Sequence, residues 1–348
     1  MLLRRSAAAR QSFPRICNHI KREEMKLKKK LSVLLALTVT AILLLTACGR
    51  SSDVSFGTAG AGGTYQTFAD ALTATLNNDT GLTVRTRETA GSAANLRLLS
   101  GGYIQLALAQ ADLVNDAYYA TGTYSGKKAL TGYKAVASLY TESCQIAVSA
   151  KSDIHSVSDL AGKKVSIGEK ESGTSANAVE ILASYGLSDK LVQEVQLNYS
   201  DAVQQLKDGS IDAFFCTAGT PTDLIKNLAQ ETDIRLLSLD EKARKNLCKA
   251  YPFFTACEIP AGTYKGQDKV ISTVGVKSVL LASDSMSEKD VRAITRELFD
   301  NKYTLQKNIP AHLQLDFKDA VSGITIPFHQ GAADYYASQG VTVNTKEK

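Results

Sequence analysis

The stretch Gly57-Thr58-Ala59-Gly60-Ala61-Gly62-Gly63-Thr64-Tyr65 decides the fold class of this 348-residue chain. The apolar residues 54–57 predict a strand, and the pattern over residues 65–77 predicts a helix. The glycines between them let backbone amides at the helix start approach a ligand closely, where an anion is favoured. The loop lacks the lysine of a P-loop and departs in spacing from the dinucleotide fingerprint, so neither nucleotide motif is present.

Strand and helix patterns alternate outward from this loop along the whole chain. The remaining predicted strands are 82–86, 104–109, 133–140, 145–149, 165–167, 193–197, 213–216, 234–237 and 277–282. The predicted helices are 93–100 with Ser92 as N-cap, 111–120, a short turn at 158–164, one ending at Ser184, 200–208, 223–229 and 288–307. This β-α-β-α order favours right-handed parallel units.

Two α/β lobes joined by two extended crossings satisfy this order of elements. We predict lobe 1 from residues 54–142 plus 274–348 and lobe 2 from residues 143–273, with crossings near 140–147 and 273–282. Ligands bind beyond the carboxyl ends of parallel strands, so the loops between strands and helices should line a cleft. Helix starts near the glycine loop, Ser92, Thr174 and Thr220 would hold a carboxylate there without a formal positive charge. Ordinary helix capping is the alternative for each of these residues.

Residues 25–48 have the pattern of an export signal and resemble a bacterial lipoprotein signal. Lysines at 26, 28, 29 and 30 precede the apolar run 31–45, which the box Leu45-Thr46-Ala47-Cys48 closes. Cys48 would carry the lipid after residues 25–47 are removed, and residues 48–53 would form a tether. An uncleaved anchor is the alternative, but the run has about 15 residues and a bilayer needs roughly 20. Residues 1–24 are interpreted as mis-translated upstream sequence, or else as a genuinely long basic start.

The composition of the remaining chain excludes several functional classes. Without residues 1–47 it carries 30 basic and 33 acidic side chains, so a basic surface for nucleic acid is not expected. The histidines are scattered and no Cys-x-x-Cys occurs, so neither a zinc site nor any other cofactor is expected. Cys144 and Cys216 lie in apolar runs and are predicted to be buried thiols. Cys248 and Cys257 flank a short loop and either pair as a disulfide or stay reduced.

Several motifs resemble the TAXI family of solute receptors, the extracytoplasmic binding subunits of tripartite ATP-independent periplasmic (TRAP) transporters. They are the loop at 57–65, Ala90-Gly-Ser-Ala-Ala-Asn-Leu96, 209–219, Tyr251-Pro-Phe-Phe254 with 259–264, and shorter matches at 106–112 and 172–174. The resemblance covers residues from about 54 to about 340. It implies a two-lobed type II periplasmic-binding-protein fold, α/β in class, with two hinge crossings. The implied ligand is a small organic anion or amino acid, with glutamate-like amino acids and dicarboxylates the usual expectation.

The resemblance also implies a set of ligand-binding residues at the rims of both lobes. In lobe 1 they are Thr64, Tyr65, Ser92, Asn95, Gln110 and Tyr140, and in lobe 2 they are Ser172, Thr174, Thr217, Gly219 and Thr220. Two departures from the family pattern could change which ligand fits. Glu171 stands where the family has glycine, and Thr141-Glu142-Ser143-Cys144 stands where a proline is common. No arginine lies in these loops, and Arg87, the best candidate for a supplementary charge, is better interpreted as an exposed strand residue.

The implied function is delivery of the ligand to a TRAP-type membrane permease by a receptor anchored through its N-terminal lipid. A receptor for an ATP-driven importer and a ligand sensor for a kinase are the alternatives. An exported hydrolase is disfavoured because no Gly-x-Ser-x-Gly elbow is present. Ser172 beside Glu171 imitates a nucleophile with its base, but no histidine is near in sequence, so helix capping is the better interpretation of this serine.

Overall fold

The computed structural model describes residues 53–347. The signal, Cys48 and the tether up to residue 52 lie outside the described residues. Within the described part, no helix combines the length and apolar character that crossing a membrane requires.

One mixed sheet of ten strands runs through the described chain. The strands are β1 Asp53–Gly57, β2 Thr83–Arg87, β3 Leu106–Gln110, β4 Tyr133–Ser149, β5 Lys164–Ser166, β6 Gln193–Val195, β7 Ala213–Gly219, β8 Ile234–Leu236, β9 Thr255–Ile259 and β10 Ile271–Ser283. Eight of them follow the order β2-β1-β3-β10-β4-β7-β5-β6, while β8 pairs with β4 and β9 with β10.

Eleven α-helices of the described part connect and cover these strands. They are α1 Thr64–Asp79, α2 Ser92–Ser100, α3 Ala111–Tyr119, α4 Gly173–Ser184, α5 Tyr199–Asp208, α6 Asp223–Glu231, α7 Glu241–Ala250, α8 Glu288–Asp300, α9 Lys302–Asn308, α10 Phe317–Ala320 and α11 Gln330–Ser338. Short 3₁₀ turns occupy Gly122–Tyr124 and Val157–Leu160.

Two parallel groups of strands flank a long antiparallel pair. Strand β1 pairs in parallel with β2 and β3, and β5 pairs in parallel with β6 and β7. Between these groups β4 and β10 run antiparallel from one side of the molecule to the other. We keep the names lobe 1 and lobe 2 for the two sides, and the division at residues 142/143 and 273/274 stays a prediction.

The apolar periodicity explains why the core forms beneath these strands. All five residues of β3 are buried, as expected for a strand covered on both faces. Phe56 of β1 and Phe68 and Leu72 of α1 are fully buried beside it. The stripe that Phe68, Leu72 and Leu76 share on α1 has helical spacing, so local sequence and burial agree in this part of lobe 1.

The predicted α/β class is confirmed, and four element predictions need correction. The strands predicted at 133–140 and 145–149 are one strand, because residues between them pair with both β10 and β7. The helix predicted at 288–307 ends at Asp300, and Asn301 separates α8 from α9. Helix α7 and strand β9 were not predicted. Ser92 is the first residue of α2 and not its N-cap, because Gly91, with a φ of 115°, takes the capping position.

The four cysteines of the described part are all free thiols. Cys144 and Cys216 are buried, as their apolar surroundings in the sequence predict. Cys248 and Cys257, whose pairing the sequence left open, are not joined. The thiol of Cys257 instead donates to the hydroxyl of Ser143, at 3.7 Å between sulfur and oxygen.

Candidate ligand-binding site

A small cavity lies where the ends of β3 and β7 meet the starts of four helices. Its volume is about 40 Å³. A single water needs roughly 10–15 Å³, so the space suits a small solute and not a peptide. The lobe 1 side is lined by Ala59, Gly60, Gly63, Thr64, Tyr65, Ala90, Gly91, Ser92, Gln110 and Glu142. The lobe 2 side is lined by Glu169, Ser172, Gly173, Thr174, Asn198, Tyr199, Thr217 and Ala218.

Four helices, α1, α2, α4 and α5, begin with residues that line this cavity. Helix α1 begins at Thr64 after the glycine loop, α2 begins at Ser92, and α4 begins at Gly173. Ser172 is the N-cap of α4, and its hydroxyl accepts from the amide of Ser175 at 3.0 Å, as the capping interpretation predicts. Amides in the first turn of a helix have no acceptor within the helix and carry the positive end of its dipole. The cavity therefore offers partial positive charge without a cationic side chain.

In lobe 1, the hydroxyl of Ser92 links the start of α1 to the end of β3 at the cavity wall. Its hydroxyl lies 3.3 Å from the hydroxyl of Tyr65. The same oxygen accepts from the backbone amide of Gln110 at 3.2 Å. Because Gly91 takes the capping position of α2, the Ser92 hydroxyl is available for these two contacts and fixes Tyr65 against the end of β3.

In lobe 2, Thr174, Tyr199 and Thr217 form a closed ring of three hydrogen bonds. The amide of Thr217 donates to the hydroxyl of Thr174 at 3.2 Å. The hydroxyl of Tyr199 donates to the carbonyl of Thr217 at 3.2 Å and lies 2.8 Å from the Thr174 hydroxyl. Since the Tyr199 proton is used on Thr217, Thr174 donates to Tyr199. The three donors of the ring are therefore satisfied within the protein.

The floor of the cavity is the carboxyl group of Glu142, at the middle of β4. This side chain is only 2% exposed. The Nε2 amide of Gln110 donates to its Oε2 at 3.0 Å, whereas Oε1 has no hydrogen-bond partner among the described residues. Burial raises the pKa of Glu142 to about 8, although Tyr65, Gln110 and Ser278 nearby oppose the shift.

The charge of the cavity lining is acidic. Among the described residues that line it there are two carboxyl groups, Glu142 and Glu169, and no lysine, arginine or histidine. Partial burial raises the pKa of Glu169, and the charges of Glu88 and Asp201 add to this shift. Arg87 lies away from the lining and donates from Nε to the Ser55 hydroxyl at 2.8 Å, which agrees with an exposed strand residue.

Direct contacts between the lobes close the space around the cavity. The guanidinium of Arg97 on α2 donates to both carboxylate oxygens of Glu171, at 3.0 and 2.8 Å. The amide of Ala94 donates to the carbonyl of Glu171 at 3.1 Å. Glu171 has a φ of 64°, the left-handed region, which explains physically why glycine suits this position. On another edge, Asn177 Nδ2 donates to Asp112 Oδ2 at 3.1 Å.

Seven of the eleven ligand-binding residues predicted from the sequence line the cavity. They are Thr64, Tyr65, Ser92, Gln110, Ser172, Thr174 and Thr217. Asn95, Tyr140, Gly219 and Thr220 are not part of the lining, and their role as ligand contacts stays a prediction. The sequence reasoning did not identify Glu142, Glu169, Asn198 and Tyr199 as site residues. Of these four residues, only Glu142 could have been suspected from the sequence, because it lies in the segment 141–144 that departs from the family pattern.

The four predicted residues outside the lining are buried in contacts with the protein itself or, in the case of Thr220, have a buried hydroxyl. The Asn95 amide donates to the carbonyls of Thr58 and Leu108, at 2.7 and 2.8 Å, and so holds the glycine loop against β3. Tyr140 is fully buried beside Phe68, with 6.3 Å between the ring centroids. The carbonyl of Gly219 accepts from the Thr64 hydroxyl at 3.3 Å, and the hydroxyl of Thr220 is buried without a described partner.

The fold is the mixed α/β fold seen in periplasmic binding proteins. A model of the NMT1-like family matches residues 56–340, so the chain belongs to the NMT1-like family. No group of three metal-ligating side chains that could hold an ion is found within residues 53–347. The TAXI subtype stays a prediction.

Solved structures share this architecture at low sequence identity. The periplasmic binding protein BugD has a TM-score of 0.51 and 11% identity, covering 75% of this chain and 88% of its own. The periplasmic aliphatic sulphonate binding protein SsuA from Escherichia coli has a TM-score of 0.44 and 16% identity, covering 84% and 89%. The alkanesulfonate-binding protein SsuA from Xanthomonas axonopodis pv. citri, bound to MOPS, has 0.45 and 17%, covering 86% and 98%. At these identities the likeness concerns the fold alone.

Proposed function

We propose that this chain is an extracytoplasmic receptor, anchored by a lipid on Cys48, that delivers a small carboxylate to a TRAP-type permease. The ligand is a glutamate-like amino acid or a dicarboxylate. The observation that carries this proposal is the meeting of three helix N-termini, those of α1, α2 and α4, at one small cavity. Amides at helix starts favour anions, so they bind a carboxylate without an arginine.

The long strands β4 and β10 support a hinge mechanism for the same receptor. They are the continuous connections across the sheet, and the cavity lies beside the middle of β4. A ligand that contacts α1 and α2 on one side and α4 on the other stabilises the arrangement in which the lobes meet. Release to a permease then requires the lobes to separate about these strands.

A thermal-shift screen of amino acids and dicarboxylates, followed by calorimetry on the hits, tests the ligand class. A true ligand at 100-fold its Kd stabilises the protein by roughly 2.7 kcal/mol, which gives a clear shift in Tm. If no carboxylate shifts the Tm while neutral sugars do, the proposal is wrong.

The anchor and the transport partner are tested separately. Cys48→Ser should leave an unprocessed or soluble protein, and unchanged membrane fractionation and mass would contradict lipidation. Neighbouring genes that encode a multi-spanning permease without an ATPase support the TRAP assignment. An ATPase gene or a sensor-kinase gene in their place would favour one of the two alternative partners.

A further inference from the structure

Glu142 combines features that a structural carboxyl group does not need. It is nearly completely buried, it lines the cavity, and its Oε1 has no partner among the described residues. A buried polar atom without a partner has lost its hydration and gained nothing in return. Gln110 holds the other oxygen at 3.0 Å and therefore leaves Oε1 as the atom available to a ligand.

The cavity lining combines helix starts with carboxyl groups. The starts of α1, α2 and α4 supply partial positive charge, whereas Glu142 and Glu169 supply carboxyl groups. A second carboxylate of a dicarboxylate would find no basic side chain among the lining residues. An ammonium group would instead form a charge-assisted hydrogen bond with the ionised carboxylate of Glu142.

We infer that Glu142 accepts the ammonium group of the ligand and so restricts the receptor to amino acids and related amines over dicarboxylates. The inference rests on the proposed function, because the same cavity binds the ligand, and it decides between the two ligand classes left open there. Gln110 is a positioning residue that orients the carboxyl group. Glu169, which also lines the cavity, adds to the attraction for a cation.

The surroundings of Glu142 agree with a group that ionises only when a cation is present. The titratable groups near it are Tyr65 on α1, Asp112 on α3, Tyr140 on its own strand, Tyr199 on α5 and Cys216 on β7. None of these groups is cationic. Burial raises the pKa of Glu142 to about 8, so an ammonium group that binds beside it favours release of the carboxyl proton to solvent. A ligand ammonium supplies the missing positive charge.

The test compares each amino acid with the acid that lacks its amino group. Isothermal titration calorimetry at pH 7.5 uses the twenty amino acids, their deaminated counterparts such as glutarate for L-glutamate, and simple primary amines. The best amino acid should bind the wild-type protein at least tenfold more tightly than its deaminated counterpart. In Glu142→Gln its affinity should fall tenfold to about a hundredfold, the range for a lost hydrogen bond to a charged group. The deaminated acid should bind Glu142→Gln as well as the wild type, or better.

Glu194→Gln is the matched control, because it makes the same chemical change on β6, outside the cavity lining. It should keep the wild-type affinity for the amino acid. The wild-type comparison needs no variant, so the inference stays testable even if Glu142→Gln does not fold.

The outcomes separate this inference from the proposed function. If the deaminated acid binds the wild type as tightly as the amino acid, or Glu142→Gln keeps its amino-acid affinity, the inference is overturned while a carboxylate receptor stands. If only amines without a carboxylate bind, and Glu142→Gln loses them, the inference holds and the carboxylate function fails. If nothing in the panel binds, both are overturned.

Discussion

Lobe 1 and lobe 2 contribute opposite kinds of surface to the cavity. On the lobe 1 side, Gln110 Oε1 and Glu142 Oε1 are buried without partners among the described residues. On the lobe 2 side, the ring of Thr174, Tyr199 and Thr217 satisfies its own hydrogen bonds. Unpaired buried polar atoms cost free energy that a ligand can recover. The difference predicts that Gln110 and Glu142 act mainly on ligand affinity, whereas the lobe 2 ring acts mainly on stability.

The pH dependence of stability should give the largest effect, and Glu142 on the lobe 1 side should supply a separable part of it. The pKa of Glu142 is about 8 in the folded protein, against an ordinary value of 4.5. Between these pH values the folded state holds a proton that the unfolded chain releases. The contribution of Glu142 to the free energy of unfolding is therefore fully present below about pH 4.5. It is lost as the pH rises toward 8, by up to about 1.4 kcal/mol per pH unit.

Denaturant unfolding of the ligand-free protein from pH 5 to pH 8 measures this slope. Glu142→Gln should reduce it, leaving the contributions of Glu180, whose pKa burial raises to about 8, and of Asp112, whose pKa burial raises to about 6. Equal slopes for the wild type and the variant would show that the carboxyl group is ionised in the ligand-free protein.

Alanine substitutions at one cavity glycine of each lobe should give the next largest difference, which is a difference in ligand affinity. A Cβ on Gly173 would collide with the side-chain amide of Gln110 in the opposite lobe. A Cβ on Gly60 would meet only the Tyr199 ring, at 4.0 Å. Gly173→Ala should therefore lower ligand affinity by roughly tenfold to a hundredfold, as overpacking costs about 1–3 kcal/mol. Gly60→Ala should cause a smaller loss, and calorimetric titration of both variants that shows equal losses would disprove the asymmetry.

The hydrogen-bonded ring of lobe 2 should contribute mainly to stability. Thr174→Ala leaves the Thr217 amide and the Tyr199 hydroxyl without one partner each, at a cost of about 1–3 kcal/mol. The Tm in differential scanning calorimetry should fall. Ligand affinity should fall as a consequence, because the ring lines the cavity. Thr174→Ser keeps the hydroxyl and should stay close to the wild type. A Thr174→Ala variant with the wild-type Tm would show that the ring does not stabilise lobe 2.

The ion pair of Arg97 with Glu171 should have the smallest effect, although it joins the lobes. Its side chains are 52% and 40% exposed, and such pairs contribute about 0–1 kcal/mol. Glu171→Gln should lower ligand affinity by at most about fivefold at low salt, and high salt should reduce the difference. Glu241→Gln removes an exposed ion pair with Lys245 inside α7 and should leave affinity unchanged. Equal binding by all three proteins at low salt would mean that the pair does not help closure.

The predictions that depended on neighbours in sequence agree with the structure more often than those that depended on distant contacts. The glycine loop and α1 are seen close to the predicted positions because strand and helix periodicities are local properties. The capping role of Ser172 is local in the same way. The prediction that Ser92 is an N-cap was also local, but it was wrong, because Gly91, with its positive φ, takes the capping position one residue earlier.

The sequence by itself determined the α/β class, the alternation of strands and helices, and the loops that surround the cavity, because each depends on the residue pattern within one element. The tertiary structure alone decided that Glu142 forms the floor, that Tyr199 completes the lobe 2 ring, and that Arg97 meets Glu171. Arg97 and Glu171 are 74 positions apart, and Gln110 and Glu142 are 32 apart. Contacts at such separations depend on the pairing of β4 with its neighbours and on how the lobes meet, which no local pattern specifies.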